Sequence, residues 1–243
     1  MMIFYMNPLL IAAAAVPAII LLIKVYNADK VEHEPPGVLI SLMIYGIVAA
    51  LIAIFTERLG ILILKSIVPP YTVFYNVLLY FIVVAFSEEG FKYLLLKRRT
   101  WREPAFNYQF DAVVYAIFLS LGFAMWENMG YVAMYGLSTA LVRAVTAIPG
   151  HACFGVFMGM WYGFGKKYDN ERNERASKAC RIMSFLLPAF IHGCYDFAAA
   201  MEGDAYAWIF IAFILIMFII AFRLIKKLSY NDRYIGGEYH PFI

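Results

Sequence analysis

The apolar positions of this chain neither alternate nor recur in narrow stripes; they fill whole blocks. Seven blocks stand out, at approximately residues 3–26, 37–56, 71–96, 110–135, 149–165, 182–201 and 205–225. Each is near the roughly 20 residues that a helix rising about 1.5 Å per residue needs to cross about 30 Å of hydrocarbon. Lipid offers the backbone no hydrogen-bond partner, so the blocks read as helices. Two shorter apolar stretches remain. Residues 59–68 end at Pro69-Pro70 and read as an interfacial piece. Residues 138–147 carry Arg143, stop just short of Pro149 and read as a short or re-entrant helix. The expected fold is all-α, a polytopic transmembrane bundle over residues 1–228 with a polar tail over 229–243. The first block has no basic residues before it and contains Pro8 and Pro17, so it reads as a retained helix and not as a signal peptide.

Composition agrees with the blocks. Hydrophobic residues make up 63% of the 243 and charged residues 15%, where soluble domains carry about 25% charged. Mean hydropathy is +0.72. No polar stretch is long enough for a second domain. The net charge of +3 reflects topology more than partners. With the loop after the first block placed in the cytoplasm, the cytoplasmic side receives 16 of the 20 Lys and Arg residues. The outer side receives only Arg58, Lys65 and Arg143, and Lys92 stays inside a block. This bias predicts an N-out, C-in orientation in a bacterial-type plasma membrane. No basic-aromatic interleaving suggests nucleic acid. Cys153, Cys180 and Cys194 form no disulfide framework.

The informative residues are polar ones inside apolar blocks, where a charge costs at least about 2.5–3.5 kcal/mol on insertion scales. In the third block, Glu88, Glu89 and Lys92 lie three and four apart, so both acids can meet the lysine on one helix face. One ammonium neutralises one carboxylate and leaves the other to be explained. In the fourth, Asp111 stands near the cytoplasmic end. Glu127 and Asn128 lie deep, and Ala116, Ser120, Ala124 and Glu127 share a face of small residues open to close approach. The fifth begins with His151 at the head of a glycine stripe, Gly155, Gly159 and Gly163. The sixth carries His192 and Asp196 one turn apart.

Carboxylates with histidines suit amide hydrolysis. A glutamate can act as general base on water, and two histidines with a carboxylate match a catalytic zinc site with an open fourth position. Other protease signatures are missing. His33-Glu34 is followed by Pro35-Pro36-Gly37 and not by a second histidine in H-E-x-x-H spacing, and no G-x-S-x-G occurs. Cys153 and Cys194 each sit two positions from a histidine, on another helix face. The alternatives are a proton-coupled transporter or ion pathway and a non-catalytic helix-binding protein. The former is weakened by the lack of any inverted repeat.

Four segments in order carry a resemblance: Glu88-Glu89-x-x-Lys92, Phe110-Asp111 through Glu127-Asn128, Arg143 to His151, and His192-x-x-Tyr195-Asp196. Together they resemble the PrsW family of intramembrane proteases, with distant kinship to CAAX-processing and bacteriocin-immunity proteases. Ala112 departs from the glycine expected after Phe-Asp. The resemblance implies cleavage of a single-span, membrane-anchored substrate of the anti-sigma-factor type. It implies Glu88 or Glu89 as base, with His151, His192 and Asp196 as the other catalytic residues and Lys92, Asp111, Asn128 and Arg143 in support. A zinc version makes His151, His192 and Glu127 or Asp196 the ligands. A metal-free version leaves water to the glutamate alone.

Overall fold

The structure is a computed structural model that describes residues 7–70 and 72–236. Residues 3–6 of the first expected span, Tyr71 of the third and 237–243 of the expected tail lie outside the described residues. Among the described residues eight helices follow in order: α1 (Pro8–Tyr26), α2 (Pro36–Ile67), α3 (Val73–Thr100), α4 (Asp111–Tyr135), α5 (Leu137–Val145), α6 (Ala147–Asn170), α7 (Glu174–Ala200) and α8 (Asp204–Tyr230). Seven stretches among the described residues are long and apolar enough to cross a membrane: α1, α2, α3, α4, α7, α8, and α5 and α6 taken together as Leu137–Asn170. Apart from an isolated bridge between Tyr108 and Tyr234, no β-structure occurs among the described residues.

Local chemistry sets the helix ends. The Asn7 side chain accepts from the Leu9 amide, Thr72 from that of Tyr75 and Asn173 from that of Ala176. Pro36 opens α2 where its missing N–H costs nothing. Gly136, at φ 82°, separates α4 from α5 through a left-handed backbone that other residues resist.

One expectation is corrected. The stretch 59–68 is no separate interfacial piece: α2 runs unbroken for 32 residues, about 48 Å at helical rise. The Glu57-Arg58 pair that interrupts the apolar pattern does not end the helix: Glu57 lines an internal cavity and the recess beside it, and exposed Arg58 stands at that recess. The stretch 138–147 is the expected short helix, α5. Within α3, Leu78–Ala85 is π-helical, a widened stretch that ends just before Glu88; such turns concentrate at functional sites.

Helix α4 is the centre of the bundle, buried at every residue from Asp111 to Ala124. Its neighbours approach through glycine. A Cβ on Gly159 of α6 would lie 2.5 Å from Val113 Cα, and one on Gly122 of α4 would lie 2.7 Å from Met43 Cα of α2. The glycine stripe of α6 therefore packs backbone to backbone on α4, as its spacing predicts.

The α1–α2, α3–α4 and α6–α7 connections and the segment after α8 meet at one end. The Ile235 amide donates to Asn107 O at 2.6 Å and the Phe110 amide to Asp232 Oδ1 at 2.8 Å. Beneath them Asp29, Glu34 and Asp111 bring carboxylate oxygens within 4.8 Å of one another, all buried. The Tyr115 hydroxyl donates to Glu34, and the Asn107 and Tyr108 amides donate to Asp111 Oδ2 at 3.0 and 2.7 Å. Burial pushes Asp29 up to about 6 and Glu34 up to about 7.

Candidate active site

Glu88, Glu89 and Lys92 of α3, Glu127 of α4, His151 of α6 and His192 of α7 converge on one point. At its centre is the Lys92 ammonium, fully buried. It donates to Glu89 Oε1 at 2.7 Å, to Glu88 Oε2 at 3.3 Å and to His151 Nδ1 at 3.1 Å, and lies 3.8 Å from the centroid of the Phe123 ring. Three N–H groups meet three acceptors, which offsets the several kcal/mol that burying an ammonium costs. The α-helical spacing of α3 supplies both carboxylates, and the close α4–α6 packing brings in the histidine.

Because His151 Nδ1 accepts from Lys92, its Nε2 carries the hydrogen and donates to Glu127 Oε2 at 2.9 Å. Glu127 Oε2 also accepts from Arg143 Nη2 at 2.9 Å. Arg143 Nε donates to Asn128 Oδ1 at 3.0 Å, and Asn128 Nδ2 donates to Ala14 O at 2.9 Å. The short helix α5 thus serves to return Arg143 into the bundle. His192 Nδ1 donates to Glu89 Oε1 at 2.9 Å. Its Nε2 then faces Asp196 Oδ2 at 3.4 Å and Glu88 Oε2 at 4.0 Å. Phe154 stacks on the His192 ring at a centroid distance of 4.5 Å and holds its plane.

Beside this cluster lies a cavity of about 170 Å³. Four carboxylates line it, Glu57, Glu88, Glu127 and Asp196, together with Arg143, His151 and His192 and the phenols of Tyr80, Tyr131 and Tyr195. No serine or cysteine lines it among the described residues. Counted along each helix at about 1.5 Å per residue, Glu88 lies about 18 Å from the end carrying the loops 27–35 and 101–110, Glu127 about 24 Å and Asp196 about 33 Å.

The expected residues therefore divide. Glu88, His151, His192, Asp196 and Glu127 reach the cavity. Glu89 does not: its Oε1 bonds to Lys92 and His192, and its buried Oε2 has no hydrogen-bond partner among the described residues. Lys92 and Asn128 hold others in place. Asp111 stands at the far end with Glu34. Glu57 is a cavity carboxylate that the sequence reading passed over. Its signal was present: an acid in an apolar run that no proline or glycine breaks at that point.

Two features bear on a metal. One ligand atom each of Glu88, Glu89 and His151 lie within 4.8 Å of one another, but Lys92 Nζ already bonds to all three residues. On the cavity side the donors are of the right kind, an imidazole nitrogen at His192 Nε2 with the carboxylates of Glu88, Asp196 and Glu57. Their negative excess over Arg143 suits a divalent cation. His151 has both ring nitrogens hydrogen-bonded, to Lys92 and to Glu127.

The family model described as PrsW family intramembrane metalloprotease matches residues 34–224, a range that contains every residue of the cavity. The chain belongs to this family. Among relatives called Protease PrsW, that of Oceanobacillus iheyensis is 30% identical over 223 residues, covering 91% of this chain and 97% of its own. That of Clostridioides difficile is 31% identical over 215 residues, 85% of this chain and 84% of its own. That of Bacillus subtilis is 28% identical over 217 residues, 89% and 93%. No solved structure matches. As a PrsW family member the chain is an intramembrane protease, a multi-pass protein of the plasma membrane.

Proposed function

We propose that the cavity is the proteolytic centre, that Glu88 is its general base and that the substrate is a single-span membrane-anchored protein of the anti-sigma-factor type. One observation carries this reading: among the described residues Glu88 is the only acid that both bonds to Lys92 and lines the cavity, with its Oε2 4.0 Å from His192 Nε2.

Glu88 takes a proton from water in the cavity, and the resulting hydroxide oxygen bonds to the scissile carbonyl carbon. Arg143, the guanidinium at the cavity, faces the developing oxyanion. Glu88 then returns the proton to the amide nitrogen as the C–N bond breaks, so an acid and an amine leave. Glu89 positions His192 through Nδ1, and Lys92 positions both Glu88 and His151. The residues that would hold a zinc ion are His192 and Asp196, with Glu57 nearby and Glu88 left free as the base; when bound, it would lower the pKa of water and polarise the carbonyl. The bias of basic residues orients the chain N-out, C-in, which puts the cavity in the outer half of the bilayer.

The test is cleavage of candidate single-span substrates by purified protein, with and without chelator, and the cut mapped by mass spectrometry. Reversible loss in chelator, together with near-stoichiometric zinc by elemental analysis, supports the metal version. Full-rate cleavage by metal-free protein rejects it and leaves water to Glu88.

A further inference from the structure

The cavity is too small for a helix, which with side chains is about 10–12 Å across. A larger recess of about 630 Å³ adjoins it between α2 and α4. Its walls are mostly apolar, with Leu51 and Ile54 from α2 and Trp126, Gly130 and Met134 from α4. Glu57, Glu88, Glu127 and Tyr131 line both spaces, so the two adjoin at the general base.

Three observations say what the recess takes. Its rim faces the lipid: Leu51 is 49% and Met134 58% exposed. Gly130, in contrast to Gly122, Gly155 and Gly159, packs against nothing among the described residues; a Cβ there would meet none of their atoms within 4 Å. A glycine in a helix interior costs about 1 kcal/mol relative to alanine, and in membranes small residues mark where another helix comes close. Finally, a second apolar recess of about 300 Å³, lined by Val25, Val156 and Phe222 among others, shares no residue with the cavity and reaches none of its acids.

We propose that the substrate's membrane helix enters from the lipid through the α2–α4 groove, lies against Gly130, and delivers an extended stretch past Glu57 to Glu88. This rests on the reading of the cavity as the proteolytic centre. Leu51, Ile54, Trp126 and Gly130 are then the residues that select among membrane helices. Arg58, which also lines the groove, meets the polar residues where that helix leaves the bilayer.

The experiment is site-specific photo-crosslinking in membranes, with full-length Glu88→Gln protein and a single-span substrate that the wild type cleaves. A benzophenone side chain at Leu51 or Met134 captures the substrate, and one at Phe222, 70% exposed in the other recess, does not. Gly130→Leu narrows the groove and raises KM about tenfold with kcat within about twofold, the pattern of lost uniform binding. Capture at Phe222 in place of Leu51 and Met134, or at none of the three, overturns the groove, as does an unchanged KM in Gly130→Leu. The two readings fail differently. A Glu88→Gln protein that still cleaves removes the catalytic assignment, whereas a dead Glu88→Gln protein that captures substrate elsewhere removes the groove alone.

Discussion

Lys92 Nζ lies 3.1 Å from His151 Nδ1, although 59 residues separate them. That contact joins the paired glutamates of α3 to the first histidine of α6. It also sets the histidine tautomer, and through it the hold on Glu127.

Lys92 is accordingly a structural necessity. Lys92→Met leaves Glu88 and Glu89 buried without their cation, and breaking a buried pair from one side costs about 3–5 kcal/mol. Denaturant or thermal unfolding in detergent should show a loss of that size. A variant as stable as the wild type would show that the ammonium is not the centre of the cluster.

The acids at the loop end give the protein a pH dependence. Asp29 is raised from 3.8 to about 6 and Glu34 from 4.5 to about 7, both through burial. Each folded value exceeds the unfolded one. Their contribution to stability is therefore full below the unfolded values and is lost as pH rises through about 6 and 7. The melting temperature should fall over that window, and Asp29→Asn with Glu34→Gln should flatten the fall. A wild-type melting temperature that rises over the same window would contradict this sign.

Gly159→Val drives a side chain into the Val113 backbone of the central helix. Overpacking costs typically about 1–3 kcal/mol, and here the obstacle is backbone that cannot turn aside. Gly130→Ala, with open space around it, should gain up to about 1 kcal/mol from helix propensity. The two variants should move the unfolding midpoint in opposite directions.

Topology can be checked directly. A reporter active only in the cytoplasm should work when placed in the turn after Asn170 and when fused after Ile243. Activity from a fusion in the turn before Asp204 would reverse the orientation.

Much of this was legible along the chain. Helix length and the α6 glycines are local signals, so the spans and the α4–α6 contact could be read directly. Glu88, Glu89, His151 and His192 stood out because a charge among apolar residues is costly and demands a partner. What needed three dimensions was helix phase. Adjacent glutamates look alike in sequence, yet the phase of α3 turns Glu88 to the cavity and Glu89 to Lys92 and His192. Glu57 looked like the end of a span because a long helix can carry a charge wherever a recess receives it. Asp111 shares a motif with Glu127 but sits 16 residues away on the same helix, at the opposite end of the bundle. The π-helical stretch Leu78–Ala85 carries no charged residue and reads as an ordinary apolar run.

The most direct test of the central claim is the turnover of purified Glu88→Gln protein on a single-span substrate, with folding verified by an unchanged melting profile. Loss of a general base predicts a fall of about 10²–10⁴-fold, while Cys153→Ala and Cys194→Ala retain activity. Cleavage by Glu88→Gln at the wild-type rate would contradict the assignment of Glu88 as the base.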